Sequence, residues 1–312
     1  MKKTIILFLS ALSFIVLTGC GSEDNDNHDM PIIPSGPVPG WVDPSTIMCE
    51  GSGYSYDYES LVYDLVWSDE FEGDSLDTSK WTYKTNSGNY NNELQYYTDR
   101  NVTVSDGIMS INAFLESDSG YDYTSARIRT QGKGDWTYGI FEIKAKLPKG
   151  VGTWPAIWMK PSIDRYGGWP NSGEIDIMEH VGFDLNEING GSHSESFNWT
   201  LGTQKKDVTN LYQDVTDVFH IYKLEWLPDK LIYYVDDVAF YTFDVNSYSA
   251  CFTTKEWPFN DDFYIILNLA IGGSWGGQQG VDDSIFPVSI DFDYVRVYQS
   301  TEITNLIQES EK

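Results

Sequence analysis

Short alternating runs, broken by turn residues, fill the sequence from about residue 61 to residue 299. Residues 138–147 alternate apolar and polar with period two, as do 219–226, 230–235 and 291–298. Residues 101–113 read as strand, turn and strand, with Asp106-Gly107 as the turn. Side chains two apart share one face of a strand, so each run can bury one face and wet the other. No stretch holds the 3.6-residue period long enough for a long amphipathic helix. Many short strands between turn signals indicate an all-β sandwich or barrel.

The chain is 312 residues long, enough for one large domain with a substantial core. Residues 1–19 read as a signal peptide: Lys2 and Lys3, then an apolar run too short for a membrane span, then Leu17-Thr18-Gly19-Cys20. That last tetrad resembles the bacterial lipobox, which implies lipid on Cys20 and anchoring to the outer membrane. The acidic Gly21-Ser22-Glu23-Asp24-Asn25-Asp26-Asn27 resembles the surface-export signal of some Gram-negative lipoproteins. Residues 20–58 are rich in Pro, Gly, Ser and Asp without a period, as expected of a tether. Residues 59–300 then form the domain, and 301–312 a polar tail, either a short helix or without structure. Cys49 and Cys251 can pair in an oxidising compartment, but spacing does not say whether they meet.

The net charge of −27 argues against nucleic acid as a partner, since phosphate binding requires Lys and Arg. It also weighs against polyanionic glycans. Aromatics make up 15% of the chain, including 11 Trp and 21 Tyr. Strands use such residues in any case, but aromatic faces in a groove also hold sugars. The glycine-rich Gly272-Gly273-Ser274-Trp275-Gly276-Gly277 lacks the Lys-Ser/Thr of a phosphate loop. Two N-glycosylation sequons, at Asn101 and Asn198, are chance matches behind a bacterial leader.

The segment that carries chemistry is Gly173-Glu174-Ile175-Asp176-Ile177-Met178-Glu179. On a regular strand Glu174 and Asp176 share a face and Glu179 points away. One extra residue restores the phase, so the spacing predicts a β-bulge at Ile177-Met178 and all three acids on one side. The two glutamate Cα atoms are then roughly 13 Å apart along the strand, and converging side chains can bring the carboxyls to about 5–6 Å. That is the separation of a retaining glycosidase. Crowded acids raise one another's pKa, which supplies a protonated acid near neutral pH. The bland alternative is a solvated acidic strand. Against it stand Trp154-Pro155-Ala156-Ile157-Trp158 and Gly168-Trp169-Pro170, flat apolar platforms just before the acids.

These residues resemble the signature of glycoside hydrolase family 16, in the bulged form of the laminarinases. The resemblance extends through Trp67-Ser68-Asp69-Glu70-Phe71-Glu72-Gly73, Asn91-Asn92-Glu93-Leu94-Gln95-Tyr96-Tyr97 and Thr124-Ser125-Ala126-Arg127-Ile128. It closes with Asn268-Leu269-Ala270-Ile271-Gly272-Gly273, Trp275 and Asp293-Tyr294-Val295-Arg296-Val297-Tyr298. It implies a β-jelly-roll (concanavalin-A-like) sandwich of two curved antiparallel sheets with an open concave cleft. It implies Glu174 as nucleophile, Glu179 as acid/base and Asp176 as helper. Trp154, Trp158, Trp169, Asn91, Glu93, Arg127, His193 and Trp275 would line the sugar site. Trp154 is equally compatible with the core, His193 with a structural role, and His180 should face away from the cleft.

Catalysis would need no cofactor. Relatives often bind a structural calcium ion, for which the matching positions are Glu70, Gly107 and Asp293. The expected function is endo-acting, retaining hydrolysis of β-1,3-glucan, with mixed-linkage β-1,3/1,4-glucan also in range. The expected partners are β-glucan polysaccharide and oligosaccharides, on a monomer. The alternatives are a galactan hydrolase of the agarase, porphyranase or carrageenase type, or a non-catalytic surface glycan-binding lipoprotein.

Overall fold

The computed structural model describes residues 56–87 and 90–310. The leader, Cys20, Cys49 and nearly all of the tether lie outside the described residues. Cys251 is disulfide-bonded; its partner also lies outside them.

Nineteen strands, numbered in chain order, form two sheets among the described residues. The larger runs β17 (Val238–Asp244), β16 (Lys230–Val235), β15 (His220–Leu227), β10 (Gly139–Lys146), β19 (Val288–Gln299), β6 (Ile108–Asp118), β7 (Tyr121–Ser125), β4 (Gln95–Tyr97) and β3 (Asn86–Ser87). β1 (Asp64–Asp69) also pairs with β19, and β5 (Val102–Ser105) with β6. The smaller runs β14 (Lys205–Thr209), β13 (Ile188–His193), β12 (Glu174–Glu179), β11 (Thr153–Pro161), β18 (Phe263–Ile271), β8 (Arg127–Arg129) and β2 (Thr82–Tyr83). β9 (Asp135–Trp136) pairs with β18.

This is the expected all-β jelly-roll sandwich, with one departure. β4 and β7 pair in parallel, so the sheets are mostly rather than wholly antiparallel. The pair spans only three register positions, too short to mark the sequence with the long apolar run of a buried parallel strand. The polar tail is a helix, α1 (Thr301–Ser310), seated through buried Ile303.

Alternation becomes burial directly. In β10, Phe141, Ile143 and Ala145 are inaccessible to solvent while Glu142, Lys144 and Lys146 are not. The inner face of the smaller sheet adds Ile157, Met159, Ile175, Ile177, Ile265, Leu267 and Leu269 to the same core. Truncating one such side chain to Ala costs about 2–5 kcal/mol. The opposite face of the smaller sheet is thereby free to carry polar side chains on a rigid floor.

The predicted bulge is present. Against β11, Met178 pairs with Ile157 and Asp176 with Trp158, so Ile177 has no partner. Against β13, Asp176 faces Gly191 and Glu179 faces Asn189: three residues on β12 span two on its neighbour. The extra residue returns Glu179 to the face of Glu174 and Asp176 while Ile175, Ile177 and Met178 stay buried.

Candidate active site

The three acids sit on β12 near the middle of the smaller sheet. His193, opposite Glu174 in the register, brings Nε2 to 3.4 Å from Asp176 Oδ2 and 3.7 Å from Glu174 Oε1. The Trp154 indole donates to Glu179 Oε1 at 3.0 Å, and Trp169 hydrogen-bonds Glu174. Trp154 therefore serves the site, not the core. The ring of Trp275 stands edge-on to Trp154 at 5.6 Å, and Lys206 lies 5.5 Å over the Trp275 ring.

On the other flank, the Arg127 guanidinium lies 4.8 Å over the Trp158 ring. The Trp158 indole donates to Asn268 Oδ1 at 2.7 Å, and the Asn268 amide donates to the Tyr97 hydroxyl at 3.3 Å. Gln95 and Tyr97 in turn donate to Glu93 at 2.8 and 3.4 Å. Asn91 adopts a left-handed conformation (φ +54) and hydrogen-bonds Glu93; its carbonyl receives the Ser274 N–H at 2.6 Å. All eight expected substrate-side residues thus fall on the acid-bearing face or its rim. His180 is fully buried with Nδ1 on the Glu187 carbonyl, away from the acids as expected.

Crowding and burial set the charge. Burial pushes Glu174 up to about 7; Glu179 adds to this, while Lys160 and Arg127 oppose it. Asp176 is held well above its ordinary range by burial and by its two glutamate neighbours. Glu179 is also raised, by burial, against the Trp154 hydrogen bond and Lys206. Burial raises all three acids and like charge adds to it at Glu174 and Asp176, so the trio keeps protons to donate near neutral pH. Burial pushes His193 down to about 4, so it is a neutral partner rather than an ion-pair cation. Glu93 is raised to about 7 by burial, which fits it to hydrogen-bond a hydroxyl from either protonation state. Asp176 Oδ2 and His193 Nδ1 are buried with no hydrogen-bond partner among the described residues. Orphaned buried polar atoms beside a cleft are places where ligand hydroxyls can bind.

Glu174, Asp176 and His193 offer donor atoms within 4.8 Å of one another, a spacing that a metal ion could use. Glycoside cleavage by two carboxylates needs none.

The residues expected to hold calcium meet where β1 ends and β6 begins, both on one edge of β19. Asp69 pairs with Val295 and Met109 with Phe292, so Glu70 and Gly107 reach the level of Tyr294, beside Asp293. The Glu70 carboxylate, however, is held by Arg296 at 3.0 and 2.8 Å, and Asp293 by Lys144 at 2.6 Å. An ion here would rely on backbone carbonyls and draw Asp293 away from Lys144.

Asn268, Tyr97 and Gln95 stand in the motifs quoted above without a site role assigned to them, and Gln204 and Lys206 were not singled out from sequence. Gln204 meets His193 Nε2 at 2.9 Å. Asn268 carried a readable signal: it is an amide in the otherwise apolar and aromatic run of β18, facing away from Leu267 and Leu269.

A jelly-roll with a bulged strand, two glutamates and an aromatic floor defines a two-carboxylate glycosidase. Residues 76–295 match the description "Glycosyl hydrolases family 16". The chain is 46% identical over 248 residues to the beta-glucanase of Rhodothermus marinus, covering 77% of this chain and 86% of that protein. The X-ray structure of the laminarinase from the same organism superposes with a TM-score of 0.74 at 45% identity, over 78% of this chain and 99% of that one. A glucan endo-1,3-beta-glucosidase of Cryptopygus antarcticus is 37% identical over 234 residues, covering 70% of this chain and 84% of that protein. The chain belongs to glycosyl hydrolases family 16 and is a glycoside hydrolase.

Proposed function

We propose that this enzyme cuts β-1,3-glucan of the laminarin type at internal bonds, with retention, and also accepts mixed-linkage β-1,3/1,4-glucan. The observation that carries the mechanism is the bulge: it sets Glu174, Asp176 and Glu179 on one face, where burial raises all three and Glu179 raises the other two. Glu174, once ionised, attacks the anomeric carbon while Glu179 protonates the departing oxygen. Glu179 then deprotonates the water that hydrolyses the glycosyl-enzyme ester. Asp176 and His193 position Glu174, and Arg127, Trp158 and Glu93 bind sugar on one flank. The substrate reading is supported by the similarity to a beta-glucanase and to a glucan endo-1,3-beta-glucosidase.

The test is a polysaccharide panel of laminarin, barley glucan, agarose, carrageenan and xyloglucan, with NMR of the first product. Hydrolysis of the first two with a β-anomer appearing first is expected. Inactivity on both sinks the substrate, and an α-anomer sinks retention.

The same proposal includes a lipid on Cys20 that holds the enzyme to the bacterial outer membrane, facing outward, as a monomer. The leader motif supports it, and mass spectrometry of the mature N-terminal peptide tests it. It also includes a structural calcium ion at Glu70, Gly107 and Asp293, supported by their shared register level. Melting in calcium and in chelator should differ by several degrees; equal melting removes the ion.

A further inference from the structure

The loop between β13 and β14 exposes a large ring that the catalytic reading leaves unused. Trp199 begins a 3-10 turn (Trp199–Leu201) and is 57% exposed. A loose loop would fold such a ring back against its neighbours to shed water. This loop is pinned instead. Asn198 is 2% exposed. It accepts from the Leu201 N–H at 3.2 Å and the Thr200 hydroxyl at 2.5 Å, and donates to the Ser194 and Glu195 carbonyls at 3.1 Å each. Gly202 closes the turn at φ +68, a backbone conformation that glycine adopts without strain. Phe197 turns inward onto Phe243 and Phe252, at 6.0 and 5.8 Å. Trp199 is thus held out in solvent on a rigid base.

Among the described residues its ring neighbour is Trp169, which leads to the catalytic groups. The Trp199 ring lies 6.5 Å from that of Trp169, with the planes 39° apart. Trp169 lies 5.6 Å from His193 and hydrogen-bonds Glu174. Indole faces therefore continue outward from the nucleophile on the β13 side of the cleft. We propose that Trp199, beside Trp169, forms an outer sugar subsite: it seats a glucosyl unit of the bound chain beyond those that touch the carboxylates. The C–H faces of a pyranose are apolar and lose water when stacked on an indole. A ring already fixed in place gives up little conformational entropy on binding. Continuity with the catalytic groups favours sugar as the occupant over a protein surface. The inference rests on the β-glucan reading above.

The test compares kcat/KM of the wild type, Trp199→Phe and Trp199→Ala on purified β-1,3-gluco-oligosaccharides of increasing length. The deficit of Trp199→Ala should grow with length. It should reach about tenfold (about 1.4 kcal/mol) once the substrate spans the ring. Trp199→Phe, which keeps an aromatic face, should restore most of it. A deficit equal at all lengths, or none, overturns the subsite. So does wild-type self-association in sedimentation that Trp199→Ala abolishes while the length profile stays unchanged. A wild type that cuts none of the oligosaccharides overturns the β-glucan reading itself, whereas one that cuts them with a profile shared by Trp199→Ala overturns only the subsite.

Discussion

Both sheets turn one face inward and carry acids on the other, yet they treat those acids in opposite ways. On the larger sheet Glu70, Asp291, Glu142 and Glu225 each have a partner that neutralises or satisfies them. Glu70 is gripped by Arg296, Asp291 lies 3.0 Å from Lys146 and Glu142 accepts from the Tyr294 hydroxyl at 2.8 Å. Glu225 accepts three tyrosine hydroxyls, from Tyr58 and Tyr63 at 2.8 Å and Tyr234 at 3.0 Å. On the smaller sheet Glu174, Asp176 and Glu179 face one another, with a neutral histidine between two of them. The consequence is opposite titration. Arg296 pulls Glu70 below its usual value, while burial and crowding lift Glu174 to about 7. Alternation alone gives a polar face; what makes one face chemical is that its acids crowd one another, with indole N–H donors and a neutral histidine beside them.

The largest expected effect is on that unpaired face. Glu174→Gln and Glu179→Gln should each lower kcat by about 10³-fold or more while oligosaccharide binding, read by calorimetry, largely survives. Wild-type turnover in either would end the role assignment. The matching change on the paired face should do the reverse. Glu225 is 6% exposed, and Glu225→Ala removes the shared acceptor of three hydroxyls, leaving Tyr63 without it while Tyr58 and Tyr234 keep only each other. Chemical denaturation should show a loss of about 1–3 kcal/mol with kcat unchanged. A fall in kcat without a fall in stability would erase the distinction between the sheets.

How much of this was readable beforehand follows the same division. The bulge was legible because an i, i+5 spacing of acids misfits a two-residue period, and only an inserted residue repairs it. Four strands of the larger sheet, β10, β15, β16 and β19, were legible because each carries a two-residue alternation over six or more residues. The site roles of Gln204 and Trp199 were not. They come from the β13–β14 loop, and only sheet order brings them beside β12. Trp199 was hidden in a sequon, Asn198-Trp199-Thr200, whose asparagine proves to be a buried loop anchor instead. The parallel β4–β7 pair escaped because a pairing over only three register positions carries too little pattern to reveal direction.

A third expectation separates the faces by pH rather than by function. A carboxyl raised on folding binds a proton that the unfolded chain has released. Its stabilising contribution is present below the ordinary value of 4.5 and is lost as pH rises toward about 7. Removing the charge should then help. Glu174→Gln should melt higher than the wild type at pH 7.5, by roughly 2–4 °C for about 1 kcal/mol, once the carboxyl's partial solvation is allowed for. The gain should vanish near pH 4. Identical melting at both pH values would mean that the cleft acids are not strained by one another.

The smallest effect sits on the paired face, and its sign is opposite. Glu70 is depressed by the Arg296 hydrogen bonds, so its contribution is present above the unfolded value and disappears as pH falls. Both side chains are about a third exposed, 39% for Glu70 and 33% for Arg296. Solvent and salt screen such a pair, which leaves about 0–1 kcal/mol despite the two-point contact. Glu70→Gln should therefore lower the melting temperature slightly at pH 7, less in high salt, and not at all near pH 3. Arg296→Lys should keep only part of the effect, because a single ammonium cannot reproduce two parallel N–H donors. A loss at pH 7 that high salt leaves untouched would show that the pair acts by packing at the β1–β19 junction and not by charge.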